Sequence, residues 1–153
     1  MGENALGAAT TGSLNIAMGK LALGAGNVDG NNNIAIGQLA LTAATSNIDN
    51  IAIGRSALAV SADDGDLNIA IGQAALGTGD VSGANNIAIG STAMDVLTTG
   101  AYNIAMGANA AGAMTTGCDN IAIGQLAIGL CTATGNYNVG IGYAAGYKIT
   151  TGA

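Results

Sequence analysis

The chain has no histidine, phenylalanine or tryptophan among its 153 residues, and only 8% of them are charged. Without histidine, neither a Ser-His-Asp triad nor a Cys-His pair can form, and zinc would need both cysteines together with carboxylates. The sequence also lacks a Gly-x-x-x-x-Gly-Lys-Ser/Thr loop for phosphate, and its charges are too sparse for the groove of a polysaccharide lyase. We therefore expect no enzymatic activity and no cofactor.

Basic residues are scarce, with three against nine acidic ones and a net charge of −6. Lys20, Arg55 and Lys148 are too scattered to neutralise phosphates, so we expect no binding to nucleic acid. Half of the residues are apolar, but glycine and asparagine interrupt every apolar run before the roughly 18 residues that a membrane span needs. No basic segment followed by an apolar stretch opens the chain, so no secretory signal is visible.

What the chain does have is one motif repeated eight times at spacings of 17 or 18 residues, which is typical of a stacked solenoid. We number each repeat, or coil, from its asparagine as position 0. Positions 1 to 3 are mostly Ile-Ala-Ile, position 4 is always glycine and position 7 is always alanine. The asparagines are Asn15, Asn33, Asn50, Asn68, Asn86, Asn103, Asn120 and Asn138; the glycines are Gly19, Gly37, Gly54, Gly72, Gly90, Gly107, Gly124 and Gly142; and the alanines are Ala22, Ala40, Ala57, Ala75, Ala93, Ala110, Ala127 and Ala145.

Each coil is expected to contain two short strands. Positions 0 to 3 are rich in isoleucine and end at a glycine, which can turn a corner with positive φ. Positions 5 to 8 predict a second strand, with a single helical turn as the alternative, for example over 38–41. A polar return segment of glycine, threonine, asparagine, aspartate and serine then leads the chain back to the next asparagine. The fold class predicted is all-β: a parallel β-roll or β-helix solenoid of about eight coils, with 1–153 as a single repeat region.

The first strand has no polar face, which indicates that both of its faces are buried. In the first interpretation, isoleucine at positions 1 and 3 fills the interior, and the small alanine face at position 2 contacts another copy of the chain. In the alternative, alanine fills a tight interior and isoleucine meets the partner chains. Both interpretations predict a homo-oligomer, for which we expect a trimer.

Three smaller features leave alternatives open. The repeated asparagines either form a hydrogen-bonded ladder along the solenoid or lock their own turns. Asp63, Asp64 and Asp66 are weak candidates for calcium, although they fit Asx turns better because the aspartates do not recur at one repeat position. The simplest expectation for Cys118 and Cys131 is two free thiols. A disulfide between neighbouring coils is the alternative.

The four tyrosines are concentrated toward the C-terminal half of the chain. Exposed aromatic clusters can stack on sugars, but cross-strand packing is the simpler expectation. The tyrosines are Tyr102, Tyr137, Tyr143 and Tyr147.

The repeat pattern continues to both ends of the sequence. Ala5-Leu6-Gly7 matches positions 7 to 9 of a preceding coil, and Thr151-Gly152-Ala153 resembles the approach to a further asparagine. Because no atypical capping repeat is visible, we expect a segment of a longer fibre or a unit that stacks head to tail.

The segment 134–147, TGNYNVGIGYAAGY, followed by Thr150-Thr151-Gly152, resembles repeats of phage tail-fibre and other virion fibre proteins. The block Asn-Ile-Ala-Ile-Gly followed by alanine is similar to the head repeats of trimeric autotransporter adhesins, although the period here is longer and asparagine replaces their usual serine. Those heads are left-handed parallel β-rolls of three chains. The resemblance covers nearly the whole chain, but no membrane anchor or C-terminal chaperone domain accompanies it.

The resemblance implies a structural segment of a phage tail fibre or virion appendage that gives stiff reach for host attachment. The virion, or otherwise the cell surface, would then be its location, and a host-surface glycan or receptor would be a partner of the fibre. A bacterial surface adhesin head is the nearest alternative. An ice-binding solenoid is less favoured, because position 5 shows no regular array of threonine.

Overall fold

The computed structural model describes residues 2–7, 11–24, 29–61, 65–129 and 134–149. It shows an all-β solenoid in which each coil contributes one three-residue strand to a single parallel sheet, in the order of the sequence. Every strand pairs in register with the next, so that Ile51 lies beside Ile69 and Ala52 beside Ala70. The strands are β1 (Ile16–Met18), β2 (Ile34–Ile36), β3 (Ile51–Ile53), β4 (Ile69–Ile71), β5 (Ile87–Ile89), β6 (Ile104–Met106), β7 (Ile121–Ile123) and β8 (Val139–Ile141).

Alanine, and not isoleucine, faces the interior. The central residue of every strand is buried, with Ala35, Ala52, Ala70 and Ala88 fully inaccessible to solvent, while the residues on either side of it are partly exposed. Our first interpretation, with isoleucine inside, is therefore wrong, and the interior position of alanine in the alternative is confirmed. Contact between the outward isoleucines and partner chains stays a prediction. The physical reason is space, because the opposite wall already supplies large side chains to a narrow interior.

That opposite wall is formed by positions 7 and 8 of each coil, which are turns. The predicted second strand is wrong, and the helical alternative is wrong as well. Ala75 and Leu76 are consecutive and both fully buried, whereas neighbouring residues of a strand point to opposite faces. Positive φ at Ala74 (53°) and Leu76 (48°) bends the chain so that both side chains point inward.

The core is thus a stack of small and medium side chains running along the solenoid axis. Leucine, methionine or isoleucine at position 8 provides most of its volume, and the alanines of positions 2 and 7 fill the space between them. The buried position-8 residues are Leu23, Leu41, Leu58, Leu76, Met94, Ala111 and Ile128.

The repeated asparagines form a ladder, as the first of the two alternatives predicted. The Oδ1 atom of each asparagine from Asn15 to Asn120 accepts a hydrogen bond from the backbone N–H of the next asparagine, at 2.8–3.1 Å. Its Nδ2 donates to the backbone carbonyl three residues before that next asparagine, at 2.7–2.9 Å. Each carboxamide therefore fastens its own coil to the following one.

Residues 2–7 stack on the first coil, in agreement with the sequence match of Ala5-Leu6-Gly7. The N–H of Leu21 donates to the carbonyl of Glu3 at 2.9 Å, and the N–H of Leu6 donates to the carbonyl of Ala22 at 3.0 Å. An exposed ion pair joins Lys20 Nζ to Glu3 Oε2 at 3.0 Å.

The glycine at position 4 is required by the stacking as well as by its own φ. At Gly72 φ is +133°, and a Cβ atom would lie 2.5 Å from the carbonyl oxygen of Gly90. Gly142 has a similar φ of +116°, but a Cβ atom there would have no neighbour within 4 Å.

We predict that Gly72→Ala costs at least about 3 kcal/mol of folding free energy, because it adds a backbone clash to the strained φ. Gly142→Ala should cost only the strain, about 1–3 kcal/mol. Equilibrium urea unfolding of the two variants beside the wild type measures the difference. Equal losses in both variants would contradict a role for Gly72 in the stacking of coils.

We predict that Asn68→Ala destabilises the protein by about 2–6 kcal/mol, because it leaves the buried N–H of Asn86 and the buried carbonyl of Gly83 without their partners. Gln73→Ala is the matched control, since this amide lies on the surface of the same coil and should change stability by no more than about 0.5 kcal/mol. The same urea titration measures both. A loss for Asn68→Ala no larger than that of the control would show that the ladder contributes little.

Candidate functional site: an outward ribbon of isoleucine

The most distinctive surface of the molecule is the outer face of its parallel sheet. Two residues of each strand, at positions 1 and 3, point outward and form two columns of uncharged apolar side chains. We call this surface the isoleucine ribbon. Its members are Ile16, Met18, Ile34, Ile36, Ile51, Ile53, Ile69, Ile71, Ile87, Ile89, Ile104, Met106, Ile121, Ile123, Val139 and Ile141.

Backbone hydrogen bonds hold the two columns in register. The N–H of Ile34 donates to the carbonyl of Asn50 at 2.8 Å, and the N–H of Ile51 donates to that of Asn68 at 2.9 Å. Since parallel strands lie about 4.8 Å apart, eight of them give a ribbon roughly 35 Å long. The ribbon is therefore a regular array whose spacing is set by the main chain.

Side chains within the ribbon cover one another along the columns. In the middle of the sheet Ile69 and Ile71 are only partly exposed. Toward the ends, where one neighbour is missing among the described residues, the exposed fraction reaches 50% at Ile16 and 66% at Ile141. What remains exposed in the middle is the outer edge of each isoleucine, and this edge presents no hydrogen-bonding group.

Two columns of mixed composition border the ribbon. On one side, position 5 is charged, polar or aromatic in every coil except at Ala108, as at Arg55 and Gln73. On the other side, position −1 alternates among leucine, asparagine, aspartate and tyrosine, as at Leu67 and Asn85. A long apolar strip with more polar borders is typical of a surface that contacts another macromolecule.

The calcium candidates are not brought together into a site by the part of the chain that the structure describes. Asp63 and Asp64 lie outside the described residues. Asp66 uses Oδ1 to accept a hydrogen bond from the backbone N–H of Ile48 at 2.8 Å, which is a link between coils. Within the described ranges no three acidic or cysteine side chains cluster as metal ligands.

The thiol of Cys118 is free and half-buried, and Cys131 lies outside the described residues.

Three tyrosines do not show the cross-strand packing that was the simpler expectation. Tyr102, Tyr137 and Tyr143 are 62%, 74% and 75% exposed. Tyr147 is half-buried.

One carboxyl group lies in a buried environment that disfavours its charged form, and the repeat pattern of the sequence did not indicate it. Asp95 follows the position-8 residue Met94, and its Oδ1 atom is buried without a hydrogen-bond partner. Burial raises the pKa of Asp95 above its ordinary value of 3.8, and hydrogen bonds from Thr78 and from the Gly77 backbone oppose this effect only in part. No sequence signal marks it, because aspartate does not recur at this repeat position.

We predict that Asp95→Asn gains stability relative to the wild type as the pH rises above about 4. A raised pKa in the folded state means that Asp95 holds its proton more tightly in the folded protein than in the unfolded chain. The contribution of Asp95 to stability is therefore fully present below pH 3.8 and is lost as the pH rises through the raised pKa. Asparagine does not titrate and escapes this loss. Melting temperatures of both proteins between pH 3 and pH 7 test the prediction, and a difference that does not change with pH would contradict it.

The described part of the chain contains no cavity or cleft that would enclose a small molecule. It also contains no helix of the length and apolarity needed to cross a bilayer. The isoleucine ribbon is thus the feature through which the described structure offers a large and regular contact surface. Comparison with protein-family models, with curated proteins and with solved structures finds no match to this chain.

Proposed function

We propose that this chain is a structural segment of a multichain fibre, in which the isoleucine ribbon of one copy packs against other copies. The observation that carries the proposal is the in-register apolar outer face of a sheet whose inner face is already filled by its own coil. A parallel sheet is usually covered on both faces, and an exposed apolar strip of this length favours a partner.

A second copy fits the ribbon better than an unrelated surface does. Side chains along each column repeat at the strand spacing of about 4.8 Å, and another copy presents the same repeat. Two such ribbons can interdigitate over their whole length without a mismatch accumulating. The ribbon carries no charge, so the net charge of −6 does not lie within the contact.

Three copies around an axis suit the shape of the ribbon. Its two columns are about 7 Å apart and roughly 35 Å long, so the area of the ribbon is well below the roughly 800 Å² that each partner buries in a standard interface. In a trimer the two columns of each copy can contact two different neighbours. The trimer also agrees with the resemblance to adhesin heads.

The role that follows is mechanical. A solenoid held by backbone and asparagine ladders along its axis resists bending, and lateral packing of three such rods stiffens it further. A tail fibre or similar virion appendage needs such reach between the particle and its host, and the repeat resemblance favours this setting. Antibodies against the chain should label purified phage particles, whereas labelling of bacterial surfaces alone would favour the adhesin setting instead.

We predict that the protein is a trimer in solution and that the double variant Ile69→Thr/Ile71→Thr weakens it. Threonine keeps the β-branched shape that suits a strand but removes apolar surface from the contact. The concentration at half-dissociation should rise by at least about tenfold. Sedimentation velocity or light scattering over a dilution series measures this change.

Gln73→Thr is the matched control, because it places the same residue on the border of the same coil and should leave the assembly unchanged. Circular dichroism of all three proteins checks that the solenoid remains folded. A wild-type mass of 14.6 kDa at every concentration would refute the proposal, since a trimer has three times that mass. A double variant that assembles as well as the wild type would show that the ribbon is not the contact.

A further inference from the structure

Beyond the mechanical role, the position −1 border of the ribbon carries a second kind of surface. In three successive coils this position is occupied by Tyr102, Asp119 and Tyr137. We call these residues the tyrosine column. Both aromatic rings are exposed, at 62% and 74%, and the aspartate between them is exposed as well.

Backbone hydrogen bonds between successive coils hold the tyrosine column in register. The N–H of Asp119 donates to the carbonyl of Ala101 at 3.1 Å, and the N–H of Tyr137 donates to that of Cys118 at 3.2 Å. The same bond recurs at position −1 of the coils before them, as from Tyr102 to Ala84. The two tyrosines are therefore two coil spacings apart, roughly 10 Å, along a fixed line.

These tyrosines occupy an unfavourable backbone conformation without a gain from burial. Position −1 has positive φ in every coil, 60° at Tyr102 and 61° at Tyr137. Asparagine and aspartate adopt this region with little cost, as at Asn32 and Asn85, whereas the leucines and tyrosines at this position do so less readily. Neither phenol forms a hydrogen bond to the described residues. The positive φ belongs to the repeat position, since Leu14 and Leu67 share it and are also exposed. What distinguishes the tyrosine column is a pair of exposed aromatic rings held at a fixed spacing with a carboxylate between them.

We propose that the tyrosine column binds an extended, neutral, β-1,4-linked polysaccharide of glucose or N-acetylglucosamine. The C–H bonds on the flat face of a β-hexopyranose pack on the negative face of an aromatic ring. In an extended β-1,4 chain every second sugar presents the same face, and this two-sugar repeat is close to two coil spacings. The carboxylate of Asp119 lies opposite the intervening sugar, where it accepts hydrogen bonds from hydroxyl or amide groups.

Charge narrows the choice of ligand. The chain carries a net charge of −6 and the column includes a carboxylate, so an acidic polysaccharide is repelled. A polysaccharide with α-1,4 linkages adopts a helical shape. It therefore cannot present two sugar faces along a straight column. The proposal therefore distinguishes β-1,4-linked neutral glycans from both of these classes.

The test uses retention of the full chain on insoluble cellulose and on chitin, with amylose resin and polygalacturonate as comparison polymers. Tyr102→Asn and Tyr137→Asn substitute the residue that the chain itself uses at this position. Each variant should weaken retention by about fivefold, and the double variant by more than either one. Tyr143→Gln is the matched control, because Tyr143 is as exposed but lies on the position 5 border, where Gln73 and Gln125 also stand.

Retention on cellulose, on chitin or on both supports the proposal and identifies the sugar, provided that the two column variants lose it and Tyr143→Gln does not. No retention of the wild type on either polymer overturns it. Equal retention on amylose, unchanged retention of the double variant, or equal loss in Tyr143→Gln also overturns it. Light scattering on the same samples reports the assembly state separately, so a monomer that still binds would refute only the fibre proposal.

Discussion

The contact between one coil and the next is the constraint on which the rest of the molecule depends. From Asn15 to Asn120, each asparagine carboxamide bonds at once to the backbone N–H of the following asparagine and to a carbonyl of the return segment that leads to it. Both groups would otherwise be buried and unpaired, and an unpaired buried group costs more than a typical hydrogen bond contributes. The coil therefore takes its shape from its neighbour, and a single coil in isolation would have little to hold it together.

Close stacking leaves a narrow interior, and this explains the composition of the two faces. Glycine at position 4 lets the main chains of successive coils approach, and the two inward residues at positions 7 and 8 fill the far wall. Only alanine or, in β8, glycine then fits at the centre of a strand. The larger isoleucines must point outward, so the apolar ribbon on the surface is a direct consequence of a small core.

Much of the architecture could be predicted from the repeat. The period indicated a parallel solenoid, and the Ile-Ala-Ile blocks located every strand. The error at positions 5 to 8 has a clear cause, because Leu39 and Leu41 adopt positive φ that side chains of their kind rarely adopt. Two consecutive apolar residues in every coil, such as Ala40 and Leu41, were the available sign that both point inward and that no strand passes there.

The candidate site was predictable only in part. The absence of polar residues on either face of the strand predicts an apolar outer surface. Which residues form that surface depends on the volume of the opposite wall. The exposure of Tyr102 and Tyr137 depends on the direction of the chain just before each strand, which the residue types do not indicate. Asp95 could not be found at all, since its burial depends on the return segment of the preceding coil and on no repeating position.

The mixture of 17- and 18-residue spacings has a consequence for how such a chain can change in length. Positions 0 to 8 superpose from coil to coil with the same hydrogen bonds, so the extra residue falls in the polar return. Duplication or loss of a whole repeat by recombination then joins surfaces that already match, and the product differs only in length. A single-residue insertion inside Asn68–Leu76 would instead move every later side chain of that coil out of its column. Lineages carrying this fold should therefore vary readily in the number of coils while the spacing within each strand-and-corner block stays constant.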